Sequence, residues 1–575
     1  MNKTIILYIL ILFFTPLQSF AQGFEWANQV EIVAFDLVAS LGFTSREVAV
    51  DAEGNSYMVG NFVGTQKFGD STLTSQTFAF QNIPNDDAFV AKYAPDGSFC
   101  WVKTFPSTFG SFVHDVELDE QGNLYLLIRF LESVEVNGST TMGEEGVVLA
   151  KLNTTLDLEW QQSYTIPRTG LATIGNLAIH RDAVYLTGSA SVELTMSGTI
   201  LNAEQPAFVA SLDPEDGSIN WTRPTGLEPG EIDTDSTGNL YLSTNVDFPA
   251  DSTLVGSSTI IAPMGTVMVF IKYDVEGEVV WTRTSGSGQA LPNRAGGLVV
   301  EPQSGAVYIV GQWGERLKLE GVELVDNVAF VPALMYVAKF DAQGQLQWLQ
   351  SSRTPPPAPG VQVARIANHQ IDLAPDGGIF IGAQHSPGLA LLGEGANEVE
   401  FGFDGLGFIV RYSSDGVLGW TQKLRCLGPN CNFSLTDLAA AGGEEKVVFT
   451  GVFRDTLDLG ELSITDVNPP MEVQSNIYLV KMDGELMSTA TESPFHALAF
   501  RAWPNPVAET LYLTWPAGQS AGQLELFDLQ GRLHLAKPVS GGSARINIQD
   551  LPAGSYLLRL SADGQRISQK IIISH

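Results

Sequence analysis

Seven histidines are the first candidates for chemistry: His114, His180, His369, His385, His496, His534 and His575. No two of them stand at a metal-ligand spacing, and only His114 has an adjacent acid, Asp115. A general base needs a histidine oriented beside a reacting group; a His-Asp step at a strand start reads as a turn or cap. The chain contains no Gly-x-Ser-x-Gly elbow and no phosphate-cradling glycine loop. Carboxylates abound, but no pair is singled out by its surroundings, and they read as solvated turns. No catalytic residue and no cofactor-binding residue is assigned on this basis.

Two spacings could hold a metal or a covalent link. Asp233-Thr234-Asp235-Ser236-Thr237-Gly238 half-resembles a calcium loop but lacks the closing glutamate. Asp233 and Asp235 are marginal metal candidates, Ca2+ is the one cofactor left open, and the segment is read as a Gly-Asn turn of the repeat described below. Cys426 and Cys431 frame Leu-Gly-Pro-Asn, a turn sequence that brings them together as a local disulfide. No second cysteine pair or histidine cluster completes a zinc set. Cys100 is left over and is expected to be buried beside Trp101.

These residues must be positioned by a long chain. At 575 residues it exceeds one ordinary core, so several domains or a repeat array are expected. With 44% hydrophobic residues, 57 Gly and 29 Pro, the composition fits a turn-rich β protein. The formal charge of −33 disfavours nucleic acid as a partner, because phosphate contacts need a basic surface. Residues 1–21 carry Lys3, an apolar run from Ile5 to Phe14, and Ser19-Phe20-Ala21 before Gln22. That is a signal-peptide pattern, too short in its apolar run to be a spanning anchor. No other stretch could span a bilayer, so the mature chain is expected to be exported without a transmembrane anchor.

The organising unit runs from Val116 to Trp160: Val116-Glu117-Leu118-Asp119, a Gly122-Asn123 turn, Leu124-Tyr125-Leu126-Leu127, Val147 to Leu152, then Trp160. It recurs seven times at a period of roughly 60–70 residues, which signals a propeller or array. Asp-x-x-Gly-Asn turns join the first two runs, and Asp-x-x-Gly turns precede most of the tryptophans. Four strands per unit make a propeller blade. The seventh copy lacks its tryptophan strand, whereas Phe24-Glu25-Trp26 is such a strand with no copy before it. The N-terminal strand is therefore expected to close the ring in the last blade and leave no raw edge. Trp26, Trp101, Trp160, Trp221, Trp281, Trp348 and Trp420 are expected to pack at equivalent places between blades. Between the Tyr strand and the Phe-Val-Ala-Lys strand a second pattern recurs, as in Val134-Glu135-Val136-Asn137-Gly138. It predicts a hairpin arm on each blade, and these variable arms are the natural binding surface.

The repeat resembles the bacterial SBBP β-propeller repeat family over about residues 24–486. The first, second and fourth copies match best; the third and seventh depart at the Gly-Asn turn. The resemblance implies a propeller outside the cytoplasm and fixes no activity.

Beyond a Ser/Thr-rich linker at 487–499 the grammar changes. Pro504-Asn505-Pro506, Phe527-Asp528-x-x-Gly531-Arg532, Leu551-x-x-Gly554-x-Tyr556 and Lys570-Ile571-Ile572 stand in order among period-two runs. The alternation predicts a β-sandwich of about seven strands. Residues 500–575 resemble the type A C-terminal sorting domain of the type IX (Por) secretion system of Bacteroidota. Pro504, Asn505, Pro506, Gly531, Arg532, Gly554 and Tyr556 carry the match. The resemblance implies engagement of the type IX machinery, passage across the outer membrane, and usually removal of the domain on release or surface attachment.

The expected architecture is all-β: a seven-bladed β-propeller at 22–486 followed by a small C-terminal β-sandwich. The expected function is a non-catalytic scaffold, secreted or on the outer cell surface, that binds an extracellular protein or glycan. The alternative is a secreted propeller hydrolase or lyase acting on a polysaccharide. Acidic and histidine side chains clustered at one mouth of the central channel would count against binding alone.

Overall fold

The structure is a computed structural model. It describes residues 23–573 outside the segments 35–43, 78–83, 167–171, 202–205, 248–252, 256–257, 261–265, 286–292, 315, 326–332, 355–363, 387–389, 393–398, 402–405, 442, 460–461, 467–475, 485–500, 504–506, 508–509, 515–521, 529–531, 540–542, 550 and 563–564. The expected signal peptide and linker lie outside the described residues. Two compact units divide the chain, 1–488 and 489–575. Every described element is a β-strand, and among the described residues no helix is long and apolar enough to cross a membrane.

In the first unit each copy of the repeat becomes a four-stranded antiparallel set. In the second copy Ser111–Leu118, Leu124–Val136, Ser139–Leu152 and Leu158–Thr165 pair in that order. Four other separate sheets begin on the inner strands Thr44–Val50, Ala172–His180, Glu231–Thr234 and Arg294–Glu301. A ten-stranded sheet contains two more sets, the sixth beginning on Ile366–Leu373. The long strand Leu418–Ala440 belongs to both: its first part pairs Gly407–Tyr412 and its second part Lys446–Leu459. Middle strands such as Ser56–Phe62 and Ala207–Leu212 are buried at every position, because neighbouring sets cover both faces. The outer strand Phe99–Phe105 is only partly buried.

The surplus N-terminal strand fills the gap in the last set. Phe24–Ala34 pairs antiparallel with Asn476–Asp483, placing Trp26 opposite Lys481 and Val30 opposite Ile477. Glu25 adds ion pairs to Lys446 at 2.9 Å and Lys481 at 3.4 Å. Each inner strand touches that of the next set, and Leu418–Ala440 in turn touches Thr44–Val50.

The tryptophans join consecutive sets. The indole N–H of Trp160 donates to the Pro214 carbonyl at 2.9 Å, Trp221 to Val275 at 2.9 Å and Trp281 to Ala342 at 3.0 Å. Trp348 donates to Ser414 at 3.1 Å, and Trp26 to Pro95 at 3.0 Å. Every acceptor lies in the turn before the outer strand of the following copy. The turn glycine lies on the ring: Gly217 has φ +70°, and a Cβ there would come within 2.6 Å of Trp160. Only glycine meets both demands. Trp160 is 8% exposed, and the other repeat tryptophans are buried less deeply. Replacing Trp160 by Ala is expected to cost about 3–5 kcal/mol, and Trp348→Ala less, as read from denaturant midpoints.

The arms are present as hairpins, among them Thr65–Phe68 with Ser71–Thr74 and Arg316–Leu319 with Val322–Val325. Their inner strands are tied to the preceding set. Glu31 to Ala34 pair with Lys67 to Thr65, Ser107 bridges Val134, Ser285 bridges Leu319 and Arg353 bridges Leu391. At three tips a non-glycine residue adopts positive φ (Asn137, Ser197 and Glu320). Those side chains reach Lys103, Gln162 and Arg283 on the preceding outer strand. The arms are staples between sets, and only their outward sides are free to vary.

One local expectation is corrected. Cys100 is an exposed free thiol rather than a buried neighbour of Trp101. Adjacent strand residues face opposite ways, so a tryptophan turned toward the next set leaves its predecessor facing solvent. Cys426 and Cys431 form a disulfide across the irregularity of the long strand.

The second unit has a three-stranded sheet, Arg501–Trp503, Thr510–Thr514 and Ser543–Asn547, and a four-stranded one, Leu533–Val539, Gly522–Asp528, Gly554–Ala562 and Gln565–Ile573. Leu511, Leu513, Leu524, Leu526, Leu558 and Ile571 fill a shared core.

Candidate functional site: the cavity enclosed by the inner strands

A cavity of about 330 Å3 is lined by residues from all seven inner strands. Aligning those strands on their pairing with the second strands gives two rings of positions, one residue apart on either side of an apolar position. The first ring holds Glu47, Asp115, Asn176, Glu231, Gly297, Gln370 and Asp437; the second holds Ala49, Glu117, Asp233, Val299, Asp372 and Ala439, with Ala178 at the matching register position outside the lining. Seven carboxylates therefore converge, with no Lys, Arg or His among the lining residues. This corrects the reading of the acids as solvated turns. Local pattern gives an acid in a strand no special environment; assembly of seven strands does.

Four of these acids hold the next strand. Asp115 accepts from the backbone N–H of Leu177 at 2.6 Å, and Asp437 from that of Val48 at 2.8 Å. Asp233 accepts from Val300 at 2.7 Å and Asp372 from Ala440 at 2.6 Å. First-ring acids take the N–H of the apolar position in the next copy, and second-ring acids the N–H two residues further on. Burial pushes Asp115 up to about 6, Asp233 to about 7 and Asp437 to about 8, in each case against the pull of backbone N–H donors. Asp372 is raised by burial too, and Glu47 and Glu117 lie well above the usual carboxylate range through burial and neighbouring acids. Glu47 and Asp437 also hydrogen-bond to each other through their side chains.

Asp233 and Asp235, the marginal metal pair, make separate contacts within the chain. Asp233 faces the cavity with both oxygens engaged, by Val300 N and Thr234 N. Asp235 organises its turn, accepting from Thr237, Asn239 and Tyr241, and it pairs with Lys272 at 3.3 Å. Burial pushes its carboxyl up, but the Thr237 and Asn239 hydrogen bonds prevail and hold it at about 2. Among the described residues no group of three or more His, Cys, Asp or Glu side chains is arranged to hold a metal ion. The Asp–Tyr–Lys contact recurs as Asp51, Tyr57 and Lys92, where the Lys92 ammonium donates to the Tyr57 hydroxyl at 2.6 Å. These repeated polar residues are scaffold.

In the second unit Asp528 accepts from the backbone of Arg532 at 2.9 Å and pairs with its side chain at 3.2 Å. Tyr556 is buried, and its hydroxyl donates to the Pro552 carbonyl at 2.9 Å. Arg532 and Tyr556 thus hold turns of the sandwich, and Gly554 opens a strand. Pro504, Asn505, Pro506 and Gly531 lie outside the described residues.

Several solved structures are similar to the chain at low scores. The WD40 domain of Neurospora crassa Pan2 aligns at 10% identity and TM-score 0.35, covering 79% of this chain and 95% of that one. PorZ, a surface component of the type IX secretion system of Porphyromonas gingivalis, aligns at 8% identity and TM-score 0.22, covering 96% and 100%. The extracellular domain of the putative hybrid two component system BT4673 from B. thetaiotaomicron aligns at 10% identity and TM-score 0.16, covering 95% and 100%. No curated protein matches the chain. Residues 501–574 do match a family, the Secretion system C-terminal sorting domain, and with it the protein is addressed by type IX secretion to the cell surface or to release outside the cell.

Proposed function

We propose that the first unit is a seven-bladed β-propeller, closed by its N-terminal strand, that serves as a non-catalytic scaffold binding an extracellular protein or glycan. The observation carrying the reading is the fate of the repeated side chains. Tryptophans, turn glycines and the Asp–Tyr–Lys groups are all spent on contacts within and between the copies. What differs between copies is the outward side of the arms and the connecting loops, the places where a rigid scaffold usually carries recognition. Closure is supported by the Phe24–Ala34 pairing and by the contact of the last inner strand with the first. The test is a glycan array and binding to purified extracellular proteins, using the mature chain. Saturable binding without turnover of the bound partner supports the scaffold; turnover overturns it.

A second reading has one specific observation in its favour. The carboxylates converge as a secreted hydrolase or lyase would require, and Glu47 and Asp437 share a hydrogen bond, as an acid/base pair can. No histidine joins them among the lining residues. Release of reducing ends from a polysaccharide by the wild type, abolished in Asp437→Asn, would establish this reading.

A further inference from the structure

A carboxyl–carboxyl hydrogen bond exists only while a proton remains between the two groups. Glu47 and Asp437 make that bond between the strands Thr44–Val50 and Leu418–Ala440, whose hydrogen-bonded residues Val48 and Asp437 are 389 positions apart. This is the junction that closes the ring. Similar single acids brace three other junctions through the N–H groups of Leu177, Val300 and Ala440. Nothing lining the cavity offsets their charge. The third inner strand presents Asn176 and Leu177, the fifth Gly297, Leu298 and Val299, and the sixth adds Gln370 beside Asp372. His369, in the same strand, is buried and held neutral, pushed down to about 3 by burial.

We propose that the acids around the cavity form a proton-operated latch on the propeller: protonated, they hold the Glu47–Asp437 junction shut, and ionised together they repel across it. The latch rests on the closed ring put forward above. Its direction follows from linkage. Asp115, Asp233 and Asp437 stand at about 6, 7 and 8 in the fold, with burial the main cause. Unfolded carboxyls titrate near ~4. The folded chain therefore holds more protons across roughly pH 4–8, and stability is full below that window and lost as pH rises through it. Glu231, in the first ring, is pushed up to about 7 by burial and by the Asp115 charge, and adds to the effect in the same direction.

The test compares thermal melting of the full mature chain between pH 5 and pH 9 with that of the double variant Glu47→Gln/Asp437→Asn, which keeps hydrogen-bonding groups and removes the charge. Wild type is expected to melt on the order of 5 °C lower at the alkaline end, and the variant to lose most of that fall. A second measurement needs no variant: proton release on unfolding wild type at pH 7.5. At that pH His369 takes up little, and Asp86 and Asp87, raised to about 6 elsewhere in the first copy, have already ionised. Release of about one proton or more is expected. A flat wild-type melting profile, an equal fall in the variant, or no proton release overturns the latch while leaving closure untouched. Closure is tested by the N-terminal strand itself, as described below.

Discussion

Removing residues 501–575 is expected to empty the extracellular and surface fractions of this protein and leave it inside the outer membrane. The segment matches the sorting family over 501–574, and its two sheets share one core, so deletion removes a whole folding unit rather than a peptide tag. A milder lesion should act the same way. Leu526 is fully buried in that core, and Leu526→Asp places an unpaired charge there at a cost of several kcal/mol. For so small a sandwich that is a large share of its stability. Immunoblots of medium, surface and periplasm check both variants. Unchanged amounts outside the cell would show that export does not depend on this domain.

The second large effect is expected where the N-terminal strand joins the last set. Val30 is 1% exposed and sits opposite Ile477. Val30→Asp is expected to cost about 3–5 kcal/mol through a buried, unpaired charge. Deleting Phe24–Ala34 goes further, because it strips Asn476–Asp483 of its partner and leaves an apolar strand with an open edge. Loss of cooperative melting and concentration-dependent aggregation are the expected results. If the deleted chain melts as the wild type does, the N-terminal strand is an appendage and the closed ring is wrong.

What the sequence made legible was local or periodic. The Gly-Asn turns, the tryptophans and the mismatch between a surplus first strand and a missing last one can be read along the chain, and together they anticipate the pairing of Phe24–Ala34 with Asn476–Asp483. The cavity was not legible. Asp437 meets Val48, and Asp115 meets Leu177, only after distant copies are set side by side. The available signal was an acid flanking the apolar position of the inner strand, as in Asp115-Val116-Glu117 and Glu231-Ile232-Asp233, but alternation alone reads as a strand with one wet face. A second role of the arms was hidden for a related reason. Their variability was visible, whereas the contacts of Asn137 with Lys103 and of Glu320 with Arg283 belong to the fold.

The tryptophan contact has a direction. The indoles of Trp160, Trp221, Trp281 and Trp348 reach forward to the turn of the following copy, and Trp26 makes the same reach from the last set to Pro95 in the first. These five joints are thus head-to-tail and nearly equivalent, as in a cyclic oligomer whose subunits happen to be threaded on one chain. Asp483 also donates its backbone N–H to the carbonyl of Gly23, so the two ends of the repeat region meet. Where the polypeptide starts is therefore a matter of connectivity and not of contact, and a circularly permuted chain would preserve every joint.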